Sequence, residues 1–116
     1  MSQDGPNGKW HWVLKGYRWR VITTSPFDDS TIIDNVPCKM AADIKTAFEG
    51  AIKGTAQGGH IYLVQWEERA RFGSQEWERV ARWDGRQKKV RLLGAPALEE
   101  NVKQALSTVD PSPVLS

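Results

Sequence analysis

Few side chains in this chain of 116 residues could act as nucleophiles or metal ligands. They are one cysteine, Cys38, two histidines, His11 and His60, and 14 carboxylates. No two of them stand at metal-ligand spacing, and the sequence has no HExxH, CxxC, GxSxG or glycine-rich phosphate loop. A Cys38–histidine pair assembled by the fold stays open as a third hypothesis, because catalytic partners meet in space rather than in sequence. We expect a protein that is not an enzyme and that holds no cofactor or metal.

Arginine and lysine supply a second chemistry, the recognition of anions. Their total of 16 against 14 acidic residues is too even for net charge to indicate nucleic acid or a membrane. The distribution is more informative, since residues 1–22 and residues 61–93 each carry an excess of three positive charges. Guanidinium groups bind phosphates and carboxylates through two parallel hydrogen bonds. We therefore examined which elements would present these cations.

The aromatic and basic stretch KWHWVLKGYRWRVI, residues 9–22, predicts a β-hairpin around Lys15-Gly16. Placing residue 14 opposite residue 17 sets Trp12 opposite Trp19 and Trp10 opposite Val21. Side chains alternate between the two faces of a strand, so this register gathers the aromatics on one face and the cations on the other. An aromatic face of this size favours burial in a core over an open platform for stacking nucleic-acid bases.

Two segments show the apolar repeat of an amphipathic helix. The first runs from about residue 37 to residue 53, with Met40, Ile44, Phe48 and Ile52 four residues apart and Gly54 after it. The second, APALEENVKQALSTV, has a proline near its start and acids in its first turn. A loop at residues 25–35, with a short strand at 31–34, precedes the first helix. We expect each helix to bury one face.

Three strands are predicted between the helices, at about residues 60–72, 77–83 and 86–93. Asp84-Gly85 indicates a two-residue turn that pairs Trp83 with Arg86 and Trp77 with Leu92. For the earlier turn, a three-residue loop competes with a four-residue loop, and we favour the latter because it sets Trp66 opposite Trp83 and brings unlike charges together on the reverse face. The predicted aromatic face comprises Tyr62, Val64, Trp66, Phe72, Trp77, Ala81, Trp83, Val90 and Leu92.

Two residues, Glu68 and Arg79, do not fit this aromatic face. Either they pair with each other near its margin, or a β-bulge in the long strand turns one of them out.

These elements predict a two-layer α+β domain in the order β-β-α-β-β-β-α, with two helices covering the aromatic face of an antiparallel sheet. Residues 9–110 would form this single domain, and residues 1–8 and 111–116 flexible tails. The lone cysteine and the lack of a long apolar run predict a cytoplasmic protein with no membrane contact.

The order helix, three strands, helix, from about residue 37 to residue 109, is also the order of the double-stranded-RNA-binding domain. That family binds phosphates with a Lys-Lys-x-x-Lys run at the start of its second helix. Here that place holds APALEENVK, which is acidic. We therefore assign the chain to no family.

The sequence thus predicts a binding module that presents an Arg/Lys-rich sheet face to an acidic partner, either nucleic acid or protein. The alternative is a compact inhibitor or accessory protein, of the kind that phages and mobile elements encode, acting through loop 25–35 or helix 37–53. The predicted partner-binding residues of the leading hypothesis are Arg18, Arg20, Arg69, Arg71, Arg82, Lys89 and Arg91.

Overall fold

The computed structural model describes residues 15–54, 59–69, 74–94 and 98–109, and of residues 67–69 and 74–76 it describes the backbone. In these residues, five strands form one antiparallel sheet and two helices pack on it. The elements are β1 (Trp19–Thr24), β2 (Ile32–Cys38), α1 (Ala41–Gly54), β3 (His60–Arg69), β4 (Ser74–Asp84), β5 (Lys89–Leu92) and α2 (Glu100–Ser107), and the strand order in the sheet is β2-β1-β3-β4-β5. The α+β class and the order β-β-α-β-β-β-α are confirmed, with β1 and β2 as the first two strands where the prediction counted the two strands of a hairpin at residues 9–22.

Both helices cover the same face of the sheet, which we call the helix face. Ile44 and Phe48 of α1 and Val102 of α2 are fully buried there, as their spacing predicts. One buried cluster joins the helices to the strands, and within it Trp19 Nε1 donates a 2.7 Å hydrogen bond to Gln65 Oε1. The strand residues of this cluster are Trp19, Val21, Cys38, Ile61, Leu63, Val80 and Ala81.

The start of α1 differs from the prediction. Pro37 and Cys38 belong to β2, where they pair with Arg20 and Trp19 of β1. The helix begins at Ala41 because Asp43 reaches back and its Oδ2 accepts the backbone N–H groups of residues 39 and 40 at 3.1 and 3.3 Å. This contact satisfies donors that a helix N-terminus leaves free.

The predicted pairing of the first hairpin is wrong, because both edges of β1 are occupied. β2 pairs with β1 along one edge, and β3 pairs with it along the other. Trp19 and Val21 therefore cannot pair with Trp12 and Trp10. The turn at Lys15-Gly16 is present, with Gly16 at a φ of +91°. The first strand of the predicted hairpin and both predicted tails lie outside the described residues, apart from Lys15.

A bulge between β3 and β4 divides the predicted aromatic face into two. Leu63 pairs with Ala81 and Val64 with Arg79, so Val80 is an extra residue in β4. An extra residue reverses which side chains share a face. Tyr62, Val64, Trp66 and Trp77 consequently lie on the face opposite the helices, which we call the second face, whereas Ala81, Trp83 and Val90 lie on the helix face. Neither alternative for Arg79 is observed as predicted, because the bulge lies in β4 and not in the long strand β3, and Arg79 stays on the face of Tyr62, where it donates to Asp29.

The bulge alone does not account for the misjudged register of β3 and β4. The strand β4 begins at Ser74 rather than at Trp77, which places Trp66 opposite Trp77 and not opposite Trp83. Phe72 of the predicted pair lies outside the described residues.

The Asp84-Gly85 turn is longer than the predicted two residues. Asp84 pairs with Lys89 and Trp83 with Val90, so four residues, 85–88, connect the strands. The described residues with positive φ are Gly16, Lys88 and Gly94, so Gly85 lacks the left-handed conformation that a two-residue type I′ turn requires. Asp84 Oδ1 instead accepts the backbone N–H groups of residues 86 and 87 at 2.9 and 3.1 Å. Trp83 thus pairs with a residue four positions later than predicted, Val90 instead of Arg86. Because four is an even number, the side chains of β5 stay on their predicted faces relative to Trp83.

Candidate functional site: a cleft at the β4–β5 hairpin

Arginine and aromatic side chains share the second face instead of being segregated. Arg20 is 4% exposed, its Nε donates a 2.8 Å hydrogen bond to Asn35 Oδ1, and its guanidinium lies 4.9 Å from the ring centre of Trp77. Trp77 in turn meets the buried Trp66 edge to face at 5.3 Å. Cation–π contact explains how a buried arginine is accommodated beside these rings. Arg20 therefore serves the fold and is not available to a partner.

A second arginine of this face holds the β1–β2 loop against the sheet. Arg79 Nη1 donates to Asp29 Oδ2 at 2.7 Å, and its Nη2 donates to the Asp29 carbonyl oxygen at 2.8 Å. The Tyr62 hydroxyl and Thr24 Oγ1 also donate to the Asp29 carboxylate, at 2.9 Å. The Arg79 guanidinium stacks 4.1 Å from the Tyr62 ring centre. We call these four residues, Thr24, Asp29, Tyr62 and Arg79, the Asp29 cluster.

The pKa values in the Asp29 cluster reflect its hydrogen bonds. Partial burial opposes ionisation of Asp29, but the hydrogen bonds from Arg79, Thr24 and Tyr62 outweigh it and hold the pKa of this carboxyl below its ordinary value. Burial, together with the hydrogen bond to the Asp29 anion, raises the pKa of the Tyr62 hydroxyl. Asp29 is thus ionised and hydrogen-bonded within the cluster, where it holds the β1–β2 loop on the sheet, and its charge is compensated by Arg79.

A cleft of about 810 Å³ opens at the end of the β3–β4 pair nearest the β4–β5 turn, next to the Asp29 cluster, and we call it the hairpin cleft. It forms where β3 and β4 separate, since the ladder between them ends at the Tyr62–Arg82 pair among the described residues. Its walls are the start of β3, the last turn of α1 and the β4–β5 hairpin. The residues that line it include the cations Arg82, Arg86 and Arg91, the acid Asp84, and His60, Ile52, Trp83, Leu92 and Leu93.

The charges of the hairpin cleft are predominantly positive. Arg82 and Arg86 are exposed, and among the described residues their side chains make no hydrogen bond or ion pair. Arg91 Nη1 lies 3.1 Å from Asp84 Oδ2, with 53% of the arginine side chain exposed and 16% of the aspartate. The backbone N–H of Gln87, followed by the Arg91 guanidinium, holds the pKa of Asp84 below its ordinary value. Asp84 therefore stays ionised to order the turn, and it leaves a net positive cleft.

The structure places the predicted partner-binding residues in different surroundings. Arg82 and Arg91 line the hairpin cleft, and Lys89 is exposed beside them on β5. Arg18 is exposed before β1, and Arg20 is buried. Arg69 ends β3, where the structure describes its backbone alone, and Arg71 lies outside the described residues.

Three features of the site were missed from sequence. The sequence predicts Arg86 in a strand, but it lies in the turn that the Asp84 side chain caps, where it is exposed. The sequence predicts Trp83 in the core, whereas it packs on the core and also lines the cleft. The role of Asp29, 50 residues from Arg79, leaves no signal in local sequence.

The candidate nucleophile Cys38 is fully buried. Burial, and then the nearby Asp43 charge, raises its pKa to about 12, so at neutral pH it is a thiol and not the nucleophilic thiolate. Among the described residues, no group of three or more histidines, cysteines or carboxylates is arranged to hold a metal ion. No helix in this part of the chain is both long and apolar enough to cross a bilayer.

Apolar side chains are exposed on and beside the edge strand β2. Phe27 is 95% exposed, Ile33 60% and Met40 59%. A smaller cavity of about 280 Å³ lies next to Ile33, between β2 and the C-terminal part of α1. This region corresponds to the loop and helix of the alternative functional hypothesis.

No protein-family model, curated protein or solved structure shows significant similarity to this chain.

Proposed function

We propose that the protein is a small, non-enzymatic binding module that holds an acidic partner, nucleic acid or protein, in the hairpin cleft. The observation that carries the proposal is that Arg82, Arg86 and Arg91 all line one cleft. Two of these guanidinium groups have no side-chain partner among the described residues, so an incoming anion replaces water rather than an internal ion pair. Lys89 adds a fourth cation at the margin.

Other charges of the fold support the same choice of surface. Arg20 and Arg79 are engaged internally, which removes them from the set of available cations. Asp84 weakens an anion site, but its hydrogen bonds to the turn and to Arg91 already compensate its charge. The buried, protonated thiol of Cys38 and the absence of a second cysteine suit a reducing compartment such as the cytoplasm.

Charge reversal tests the proposal. The variant Arg82→Glu/Arg86→Glu/Lys89→Glu alters three exposed side chains and leaves the residues Asp84 and Arg91 in place, so we expect it to fold. Its affinity for mixed single- and double-stranded oligonucleotides and for polyglutamate should fall at least about 100-fold at low salt, since each contact between a cation and an anionic group contributes to affinity. It should also elute from heparin at lower salt than the wild type. The measurement is fluorescence anisotropy, with thermal unfolding as the check on folding.

A matched control carries the same change in net charge elsewhere. The variant Lys15→Glu/Lys45→Glu/Lys103→Glu reverses three cations outside the cleft. When both variants are compared at about 0.15 M salt, the control should retain most of the affinity, because screening there limits the influence of charges beyond about 8 Å. Equal losses in the two variants would refute a specific site, and wild-type protein that binds no polyanion at low salt would refute the function.

The exposed apolar side chains around β2 favour a second candidate function, contact with a partner protein. Edge strands accept a further strand from another chain, and Phe27 and Ile33 would supply apolar contacts. Asp28 and Asp34, in the same segment of the chain, are also exposed, so the partner that fits is an extended segment with apolar and basic side chains. This candidate corresponds to the compact inhibitor or accessory protein predicted from the sequence, with β2 and the loop before it as the contact surface.

Selection from a random displayed-peptide library tests this second candidate. Binders of the wild type would be counter-selected against Phe27→Ser/Ile33→Asp, which changes exposed side chains. Enrichment of apolar and basic peptides that bind in high salt would support it. Recovery of no peptide that distinguishes the two proteins would count against it.

A further inference from the structure

The hairpin cleft contains more apolar surface than anion binding requires. Trp83 packs on the core with part of its indole and lines the cleft with the rest. Leu92 and Leu93, which also line it, are 49% and 40% exposed. A ligand that uses this surface has a flat or apolar body as well as negative charge.

We propose that the hairpin cleft binds single-stranded nucleic acid, with a base stacked against Trp83 on the helix face and the flanking phosphates held by Arg86 in the turn and, where the strand crosses the end of the β3–β4 ladder to the second face, by Arg82 and Arg91. This inference rests on the proposed function and names its partner. Aromatic stacking combined with cationic contact to the backbone is the usual way in which proteins hold single strands.

The geometry of the cleft suits an unpaired base. Its volume of about 810 Å³ lies within the range of small-ligand pockets, about 300–1,000 Å³. Gly85 lies beside the indole, because a Cβ built there would be 3.9 Å from Trp83 Nε1, in ordinary van der Waals contact. The turn that carries Arg86 therefore runs beside the Trp83 ring, and phosphate and base contacts come from neighbouring residues.

Single strands fit these features better than duplexes or acidic peptides do. In a duplex the faces of the bases are stacked inside the helix, so a recessed indole does not reach them. An acidic peptide would pair with the arginines, but its carboxylates would leave the Trp83 surface unused. The three cleft cations are all arginines, whose planar groups both bind phosphate through two hydrogen bonds and stack on bases.

The test compares two fluorescein-labelled decamers of equal length and charge, oligothymidylate and a fully abasic strand, by anisotropy at low salt. Stacking on Trp83 predicts that the wild type binds the thymidylate strand about 5- to 150-fold more tightly. Trp83→Leu should bring its affinity to the abasic value and leave abasic binding unchanged. Trp83→Phe should retain most of the preference, and Trp77→Leu, which removes an indole from the second face, should retain it fully.

The outcomes separate this inference from the proposed function. Equal affinity of the wild type for both strands would overturn base stacking and leave anion binding in place, and this comparison needs no variant. Binding of polyglutamate but of neither strand would assign the cleft to an acidic protein. Binding of neither strand, heparin nor polyglutamate would overturn both proposals.

Discussion

The Asp29 cluster and the hairpin cleft are neighbours on the β3–β4 pair, yet they use arginine in opposite ways. At the Asp29 cluster, Arg79 donates to a carboxylate and a carbonyl and stacks on Tyr62. At the hairpin cleft, Arg82 is exposed three residues later in the same strand, with no side-chain partner among the described residues. Arg79 and Arg82 belong to the same strand and differ in the side chains that the fold places next to them. The comparison shows that the density of arginines in a strand does not identify a binding surface, whereas the partners that the fold supplies do.

Loss of Arg20 should have the largest effect on stability. Arg20→Ala removes a buried hydrogen bond to Asn35 and the cation over Trp77, so we expect the free energy of unfolding to fall by about 2–4 kcal/mol. Urea denaturation measures it, and heparin retention of the folded variant should stay at the wild-type value. A variant of unchanged stability, or one that folds but no longer binds heparin, would remove Arg20 from the structural arginines.

Loss of Arg79 should have a smaller effect, because the Asp29 cluster is partly exposed. Arg79→Ala is expected to lower the free energy of unfolding by about 1 kcal/mol and to leave polyanion affinity unchanged. The matched variant Arg82→Ala should do the reverse, with stability within about 0.5 kcal/mol of the wild type and a weaker affinity. Denaturation and anisotropy on both variants test the contrast, which fails if the two behave alike.

The stability of the protein in acid should show the contribution of the Asp29 carboxylate to the Asp29 cluster. The pKa of Asp29 is lowered in the folded protein, so its contribution to stability is present above about pH 4 and is lost as the pH falls through the folded-state pKa. Asp28 and Asp84 are shifted in the same direction and share this dependence. Asp29→Asn should therefore be less stable than the wild type at pH 7, and the difference should narrow at pH 2–3. A constant difference would show that the charge of Asp29 is not what stabilises the loop.

The smallest expected effect concerns the turn that presents the cleft. Lys88 has a φ of +57°, in the left-handed region that favours glycine. Lys88→Gly should raise the free energy of unfolding by about 0.5–1 kcal/mol. Thermal unfolding measures it, and Lys88→Ala, which removes the charge but keeps the strain, serves as control. Equal stability of the two variants would mean that the backbone there is not strained.

The sequence predicted the features that depend on local periodicity. The four-residue repeat placed Ile44 and Phe48 in the core, and the pattern of the second helix did the same for Val102 and Leu106. The order of strands and helices followed from these repeats and from the turns between them. The four-residue turn could not be read from Asp84-Gly85, because the aspartate side chain caps it.

The features that depend on one inserted residue or on distant partners were not predictable. Val80 looks like an ordinary strand residue, yet as the bulge it moves Trp66 and Trp77 to the opposite face from Trp83. The hairpin cleft was half predicted, because Arg82 and Arg91 were expected to face a partner. Trp83 was not expected to face a partner, since the exposure of its side chain depends on where β3 and β4 separate.

The most direct test of the contrast between the Asp29 cluster and the hairpin cleft is the salt dependence of oligothymidylate binding by the wild type, Arg82→Ala and Arg79→Ala. Three phosphate contacts on a single strand predict a slope of log K against log salt of about −2. Arg82→Ala should reduce its magnitude by about 0.7, and Arg79→Ala should not change it. Wild-type protein that does not bind at low salt, or equal slopes for all three proteins, would contradict the assignment of the hairpin cleft as the anion-binding surface.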